Sequence, residues 1–250
     1  MSSWVLLRGL SRERRHWGAF PELLRAADGN PVVALDLPGN GRRHRLRSPA
    51  SVGELAADCR RQLQAQGLVP PYRLLALSLG AMVAVAWAGR HPDEVAGGVL
   101  INTSLRPFSS FFHRLRPAHY PALLGLLLEP DAGRRERRIL ELTSNRPPEP
   151  QLLAEWTAWA GQNPVAPANA LRQLLAAARF VAPPVPPAVP LLVLGSAGDR
   201  LVDVRCSRQL ARCWQVAYAE HPSAGHDLPL DDAAWVVGQV GRWWQEQPLR

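Results

Sequence analysis

The chain has 250 residues, 47% hydrophobic and 20% charged, which is enough for one sizeable core and usual for one α/β domain with an insertion. All 29 basic residues are arginine and give a net charge of +8, but their scatter is unlike a basic groove, so we expect no nucleic-acid partner. No apolar run is long enough for a signal peptide or a membrane span, so we expect a cytoplasmic protein without membrane association.

Short apolar runs alternate with helix-like runs through the first part of the chain. The pattern predicts strands at 5–7, 31–35, 73–77 and 98–102 and helices at 19–27, 52–66 and 79–90. Such alternation is typical of a doubly wound, mostly parallel sheet with helices on both faces.

The alternation stops near residue 104 and resumes after a proline-rich segment, 182–187. Between them the pattern predicts four helices, at about 117–128, 131–143, 149–161 and 167–180. A strand at 190–195, a helix at 204–214, a strand at 215–219 and a last helix follow. We therefore predict an α/β core formed by 1–104 and 185–250, with a four-helix cap inserted at 105–184.

A functional motif surrounds Ser78, which stands between an apolar strand and an apolar helix. Ala76 and Gly80 are the small residues that a tight strand-to-helix turn requires two places on either side of the serine. Such a turn exposes the hydroxyl and directs the next backbone N–H to the point where an oxyanion would form. The motif indicates a nucleophilic serine, and the alternative is a buried serine in an ordinary connection.

A nucleophilic serine requires a base, and the base requires an orienting acid at the same edge of the sheet. Asp199 follows the strand at 190–195, and His226 lies in the loop before the last helix, so serine, acid and base follow one another as in one hydrolase class. Asp203 is the alternative acid, and His221 is the alternative base. Asp199 could instead be a turn or helix-cap carboxylate.

The segments 76–80, 195–199 and 225–226 resemble the three catalytic segments of the α/β-hydrolase superfamily, in order, and the resemblance covers nearly the whole chain. It implies a triad of Ser78, Asp199 and His226, and the Gly-His pattern of the family favours His226 over His221. It also implies that the chemistry needs no metal or organic cofactor.

The resemblance assigns the oxyanion hole to the backbone N–H groups of Leu10 and Leu79. The chain departs from the family at Arg8, where a histidine usually precedes the glycine. A buried guanidinium requires partners. Two interpretations are open: Arg8 pairs with a backbone carbonyl as a structural replacement, or it faces the pocket and binds a substrate carboxylate.

Aromatic and aliphatic residues of the cap are candidates for the lining of an apolar acyl pocket. They are Phe108, Phe111, Phe112, Tyr120, Leu124, Trp156 and Trp159. The alternative is that most of them only hold the cap helices together.

These residues predict a serine carboxylesterase that hydrolyses short to medium acyl esters, with a small-molecule ester as substrate. Among capped relatives the chain looks most similar to the pimeloyl-carrier-protein methyl ester esterases, which receive an acidic carrier protein on basic cap residues. The residues available for that role are Arg134, Arg135, Arg137 and Arg138. A carbon–carbon hydrolase or a lyase of menaquinone-synthesis type shares the fold and triad, and an Arg8 facing an anionic substrate would favour it. Intact Ser78, Asp199 and His226 argue against a catalytically silent receptor.

Overall fold

A computed structural model describes residues 2–247 and contains one sheet of six strands in the order β2-β1-β3-β4-β5-β6. The strands are β1 (Trp4–Leu7), β2 (Val32–Leu35), β3 (Tyr72–Leu77), β4 (Val95–Ile101), β5 (Leu191–Ser196) and β6 (Ala217–His221). Each neighbouring pair is parallel. The carboxyl ends of all six strands therefore lie along one edge, and the predicted parallel sheet is confirmed.

Helices cover both faces of the sheet. The core helices are α1 (Phe20–Asp28), α2 (Val52–Ala65), α3 (Leu79–Arg90), α9 (Arg205–Trp214), α10 (Leu228–Asp231) and α11 (Ala233–Gln245). Leu55, Trp87 and Leu210 belong to one buried apolar cluster, whereas Leu24 and Val240 belong to another. The first cluster thus lies between the sheet and the helices α2, α3 and α9, and the second lies between the sheet and the helices α1 and α11. The two clusters are the cores on the two faces of the sheet.

All six strands begin within three residues of the predicted positions, and two of them differ by more than one residue. β4 begins at Val95 instead of 98, because Gly97 is part of the strand. A Cβ on Gly97 would lie only 2.7 Å from the Trp244 ring. β6 begins at Ala217 instead of 215, because Gln215 ends α9 in a left-handed conformation with φ 52°. Glycine in the first case therefore permits close packing and does not break the strand.

Residues 105–184, which we call the cap, are helical and connect β4 to β5. They form α4 (Phe111–Arg114), α5 (Tyr120–Leu128), α6 (Ala132–Thr143), α7 (Pro150–Gln162) and α8 (Pro167–Arg179). The short α4 was not predicted. Arg106 and Val181 form an isolated parallel bridge that brings the two ends of the cap together. Each helix within residues 2–247 is too short or too polar to cross a membrane.

The cap is attached to the core by buried polar contacts. Arg12, in the loop after β1, donates to Glu136 of α6 at 2.6 Å, and Gln173 of α8 donates to Asn40 Oδ1 at 2.8 Å. Asn40 in turn donates to the Arg12 carbonyl oxygen at 2.9 Å. The loop after β1 is therefore in contact with the sheet edge and with two cap helices.

Candidate active site

Ser78 lies in the tight turn between β3 and α3. Its φ of 55° and ψ of −116° place it in a region that residues with a side chain rarely adopt. A Cβ on Gly80 would lie 2.3 Å from the carbonyl oxygen of Leu7, so only glycine lets α3 start this close to β1. The Ser78 N–H donates to the Ile101 carbonyl at 2.9 Å, and Thr103 Oγ1 donates to the Ser78 carbonyl at 3.1 Å. The end of β4 thus fixes the strained turn at the carboxyl edge of the sheet.

The structure brings Asp199 and His226 into contact. His226 Nδ1 lies 2.7 Å from Asp199 Oδ2, and the other carboxylate oxygen accepts the N–H groups of Leu201 and Val202 at 2.8 and 2.9 Å. Both side chains are buried, with His226 5% and Asp199 3% exposed. With Nδ1 donating to the carboxylate, Nε2 is the ring nitrogen left free to accept a proton.

The surroundings of His226 favour its protonated form. Burial alone lowers the pKa of this imidazole, but the Asp199 charge, the hydrogen bond to Asp199 and the nearby Asp227 charge outweigh burial and the opposing Arg8 charge. The pKa of His226 therefore lies above its ordinary value. A base with a raised pKa is matched to proton transfer near neutral pH.

The alternative acid and the alternative base both have other partners. Asp203 binds the Arg205 guanidinium through both carboxylate oxygens, at 3.0 and 2.7 Å, and this contact holds the pKa of Asp203 well below its usual range. His221 Nε2 lies 3.2 Å from Asp232 Oδ2, and its Nδ1 accepts the Ala224 N–H at 2.8 Å. Both ring nitrogens of His221 are therefore occupied away from Ser78.

The loop after β1 lies against Ser78. A Cβ built on Gly9 would be 3.3 Å from Ser78 Cβ and 3.9 Å from Ser78 Oγ. The next residue is Leu10, and Leu79 is the first residue of α3. Within residues 2–247, neither of these two backbone amides has a hydrogen-bond acceptor. Two free N–H groups on either side of a serine can bind an oxyanion.

One cavity of 880 Å³ extends from Ser78 and His226 into the cap. Gly9, Leu10, Leu79 and Val202 line its core side. The volume is in the range of sites for small organic ligands. The nucleophile candidate, the base candidate and both oxyanion-hole candidates therefore open into the same space.

The sequence profile of the alpha/beta hydrolase family matches residues 4–239. The chain belongs to the alpha/beta hydrolase family. It is thus a hydrolase, as its sequence motifs indicated.

A curated relative of this hydrolase is the pimeloyl-[acyl-carrier protein] methyl ester esterase of Chromobacterium violaceum, 39% identical over 75 residues. That match covers 30% of this chain and 27% of the relative. Among solved structures, an enol-lactonase from Burkholderia xenovorans (TM-score 0.79, 19% identity) matches 98% of this chain and 92% of its own. A lipase-like protein from Acinetobacter baumannii (TM-score 0.78, 22% identity) matches 98% of this chain and 84% of its own. An esterase from Thermogutta terrifontis (TM-score 0.76, 22% identity) matches 98% of this chain and 90% of its own. At these identities the solved structures support the fold alone.

Arg8 of this hydrolase pairs with a carboxylate and not with a backbone carbonyl. Its guanidinium binds the Asp227 carboxylate through both Nη atoms, with Nη1 at 2.9 Å from Oδ1, and lies 4.9 Å from the Trp17 ring centre. Asp227 directly follows His226. Arg8 also lines the cavity, but its charge is already compensated there.

Asn102 was missed by sequence reasoning and is central to the site of this hydrolase. It is 2% exposed and follows β4 directly. Its side-chain amide donates to the carbonyl oxygens of Gly225 and His226 at 3.2 and 2.9 Å, and its Oδ1 accepts the Ser196 N–H at 2.9 Å. A polar residue at the carboxyl end of a buried strand was the signal that could have indicated it.

The predicted aromatic lining divides into two groups. Phe111, Tyr120 and Trp159 line the cavity. Within residues 2–247, the other three aromatic residues, Phe108, Phe112 and Trp156, are not part of the cavity lining. The ring of Phe108 packs on Trp214 with 5.5 Å between ring centres, and the ring of Trp156 packs on His16 with 4.6 Å between ring centres. Phe112 is exposed. Leu124 of α5 also lines the cavity as predicted, and sequence reasoning missed four further leucines of that helix, Leu123, Leu126, Leu127 and Leu128.

The four cap arginines are not equivalent. Arg134 is exposed and pairs with Glu129 at 3.0 Å, and Arg137 and Arg138 are also exposed. Arg135 is partly buried, lines the active-site cavity and donates to the Glu129 carbonyl oxygen at 3.1 Å. Three of the four are thus available on the outer surface of α6.

Proposed function

We propose that this chain is a serine carboxylesterase that hydrolyses short to medium acyl esters through an acyl-enzyme. The observation that carries the proposal is the contact of His226 Nδ1 with Asp199 Oδ2 at 2.7 Å, because the same imidazole lines one cavity together with Ser78. A strained serine turn, a buried imidazole with an oriented tautomer and two free backbone amides are the parts that acyl transfer requires.

In the acylation step, Ser78 Oγ attacks the ester carbonyl while His226 Nε2 takes the serine proton. The N–H groups of Leu10 and Leu79 bind the oxyanion of the tetrahedral intermediate. Asp199 stabilises the imidazolium. His226 then gives the proton to the leaving alcohol, and the acyl group remains on Ser78.

In the deacylation step, water takes the place of the alcohol. His226 accepts a proton from this water, which attacks the acyl carbonyl, and the same amides bind the second oxyanion. The proton then returns to Ser78 as the acid leaves.

The substrate range follows from the cap. The α5 leucines and the rings of Phe111, Tyr120 and Trp159 give the cavity an apolar wall. Burial of each CH₂ group of an acyl chain on such a wall contributes about 0.8 kcal/mol. A preference for acyl chains over charged or sugar-like groups is expected along this wall.

A panel of p-nitrophenyl esters of increasing acyl length tests the proposal. The wild-type protein should hydrolyse the butyrate or a longer ester, and Ser78→Ala should lose this activity by a factor on the order of 10⁴. Ser51→Ala is the matched control, because Ser51 is exposed at the start of α2 and its side chain caps no backbone N–H. Ester turnover that survives in Ser78→Ala, or no turnover by the wild type, would contradict the proposal.

A second candidate is the hydrolysis of a pimeloyl-carrier-protein methyl ester. The local identity with the Chromobacterium violaceum enzyme and the exposed arginines of α6 favour it. Glutamate at Arg134, Arg137 and Arg138 should slow hydrolysis of the carrier-bound ester and leave a free methyl ester unaffected. Glutamate at three exposed core arginines is the charge-matched control: Arg25, Arg61 and Arg242. Equal loss in both triple variants would count against a carrier-protein surface on α6.

The carbon–carbon hydrolase or lyase alternative depended on an Arg8 free to bind an anionic substrate. Because Asp227 compensates that guanidinium at 2.9 Å, Arg8 does not favour this alternative over an esterase.

A further inference from the structure

The carboxylates that line the active-site cavity are all compensated. Four acidic side chains are among the lining residues: Glu13, Glu129, Glu136 and Asp227. Each of them forms a salt bridge with an arginine, respectively Arg15, Arg134, Arg12 and Arg8. No carboxylate of the lining is therefore left to compensate a further guanidinium.

Arg114 is such a further guanidinium on the wall of this cavity. Its Nη2 donates to the carbonyl oxygen of Ala177, near the end of α8, at 2.7 Å. Its Nε is buried without an acceptor, and within residues 2–247 this guanidinium forms no salt bridge with a carboxylate. Burial and the nearby Arg106 charge lower the pKa of Arg114, which still leaves an arginine charged in a protein.

The position of Arg114 is fixed close to the serine turn. Ser104 Oγ donates to the Arg114 carbonyl oxygen at 3.3 Å, and the preceding residue, Thr103, donates to the Ser78 carbonyl at 3.1 Å. The end of β4 thus contacts both residues. The backbone of Arg114 is consequently held against the end of β4, and the residue lines the cavity.

A purely structural role accounts for only one of the hydrogen bonds that the Arg114 guanidinium can donate. The Ala177 carbonyl satisfies a single N–H of the five that a guanidinium carries. A partly buried charge without a counter-ion is costly unless an anion pairs with it. Arg8 and Arg12 show the usual solution, since each has a buried carboxylate partner.

We propose that Arg114 is a specificity-determining residue that binds a carboxylate carried by the ester substrate, so that the preferred substrates are half-esters of dicarboxylic acids. The counter-ion of this guanidinium would then arrive with the substrate. The apolar wall of α5 holds the methylene chain between the two ends. This inference rests on the proposed esterase function and names its substrate class.

Matched pairs of methyl esters test the inference. Monomethyl succinate, glutarate, adipate and pimelate are each compared with the neutral methyl ester of equal acyl length. Wild-type kcat/KM should favour the half-ester by about ten- to hundredfold at the best length, which is the range expected of a hydrogen-bonded charge pair. Arg114→Gln should remove this preference and keep the activity on neutral esters, whereas Arg114→Lys should keep part of the preference.

Arg135→Gln is the matched control. Arg135 also lines the cavity without a carboxylate partner, but it belongs to α6 and donates to the Glu129 carbonyl oxygen at 3.1 Å. A preference that persists in Arg114→Gln, or that only Arg135→Gln removes, would overturn the inference.

The two proposals fail in different ways. Hydrolysis of neutral esters without any preference for half-esters leaves the esterase standing and rejects the role of Arg114. Failure of the wild type on every ester rejects the esterase itself. If Arg114→Gln also loses activity on neutral esters, inhibition of the wild type by free adipate and by hexanoate is compared instead. Inhibition by adipate alone supports the carboxylate site, and equal inhibition by both acids rejects it.

Discussion

Arg8 and Asp227 form a buried ion pair across the active site, with Nη1 2.9 Å from Oδ1 and the side chains 2% and 3% exposed. The two residues are 219 positions apart in the chain. Arg8 precedes Gly9 and Leu10 in the loop after β1, and Asp227 follows His226. The pair therefore joins the loop of one candidate oxyanion amide to the loop of the candidate base, in place of the family's usual histidine.

Replacement of Arg8 by methionine should destabilise the protein strongly. It leaves the Asp227 carboxylate buried without its partner, and the loss of one member of a buried pair costs about 3–5 kcal/mol. The free energy of unfolding from urea denaturation measures this loss.

The double variant Arg8→Met/Asp227→Leu completes a double-mutant cycle on the same pair. Removing both charges should recover most of the stability, because no uncompensated charge remains. A double variant as unstable as the sum of the two single variants would show that the pair does not couple the two loops.

The pH dependence of esterase activity should reflect the carboxylates around His226. His226 acts as a base only when neutral, and its pKa lies above 6.5 in the folded protein. The kcat/KM of the wild type should therefore fall as pH decreases through that raised value. In Asp227→Asn, one charge that raises the pKa is gone and the Arg8 charge that lowers it is uncompensated. The acid limb of the profile should move to lower pH.

Asp232→Asn is the control for this pH shift. Asp232 contacts His221 at 3.2 Å, whereas the charges that shift the pKa of His226 are those of Asp199, Asp227 and Arg8. The acid limb should stay in place in Asp232→Asn. An unchanged limb in Asp227→Asn would mean that Asp227 does not act on the imidazole.

Asp199→Asn should preserve the fold and remove most of the activity. An amide at this position cannot stabilise the imidazolium and favours the wrong tautomer, and the expected loss in kcat is on the order of 10⁴. Asp203→Asn is the matched control because its carboxylate binds Arg205 at 2.7 Å and not His226. Full activity in Asp199→Asn with loss in Asp203→Asn would reverse the assignment of the acid.

Gly80→Ala should destabilise the protein and disrupt the serine turn. The added Cβ would lie 2.3 Å from the Leu7 carbonyl oxygen, a backbone atom that cannot move aside, and overpacking of this kind costs roughly 1–3 kcal/mol. Gly89→Ala on the same helix is the control, since no atom lies within 4 Å of its Cβ position. It should stabilise the helix by about 0.5–1 kcal/mol. Thermal unfolding of both variants provides the comparison.

Sequence reasoning reached those parts of the candidate site that depend on local order. Ser78 between a strand and a helix, Asp199 just past β5 and His226 before the last helices could be proposed because strand ends converge at one edge of a parallel sheet. Asn102 was within reach of the same argument, since it also ends a buried strand. Its partners, the carbonyls of the His226 loop, could not be named in advance.

The amino-acid sequence by itself determined the alternation of strands and helices, the order of the candidate serine, acid and base, and the helical segment between β4 and β5, because periodicity, glycine and proline act over a few residues. Only the tertiary structure decided which charges meet. Arg8 with Asp227, Arg12 with Glu136 and the uncompensated Arg114 are outcomes of packing between segments far apart in the chain. The energy of a charge depends on what surrounds it in the folded state, and this is fixed only when those segments come together.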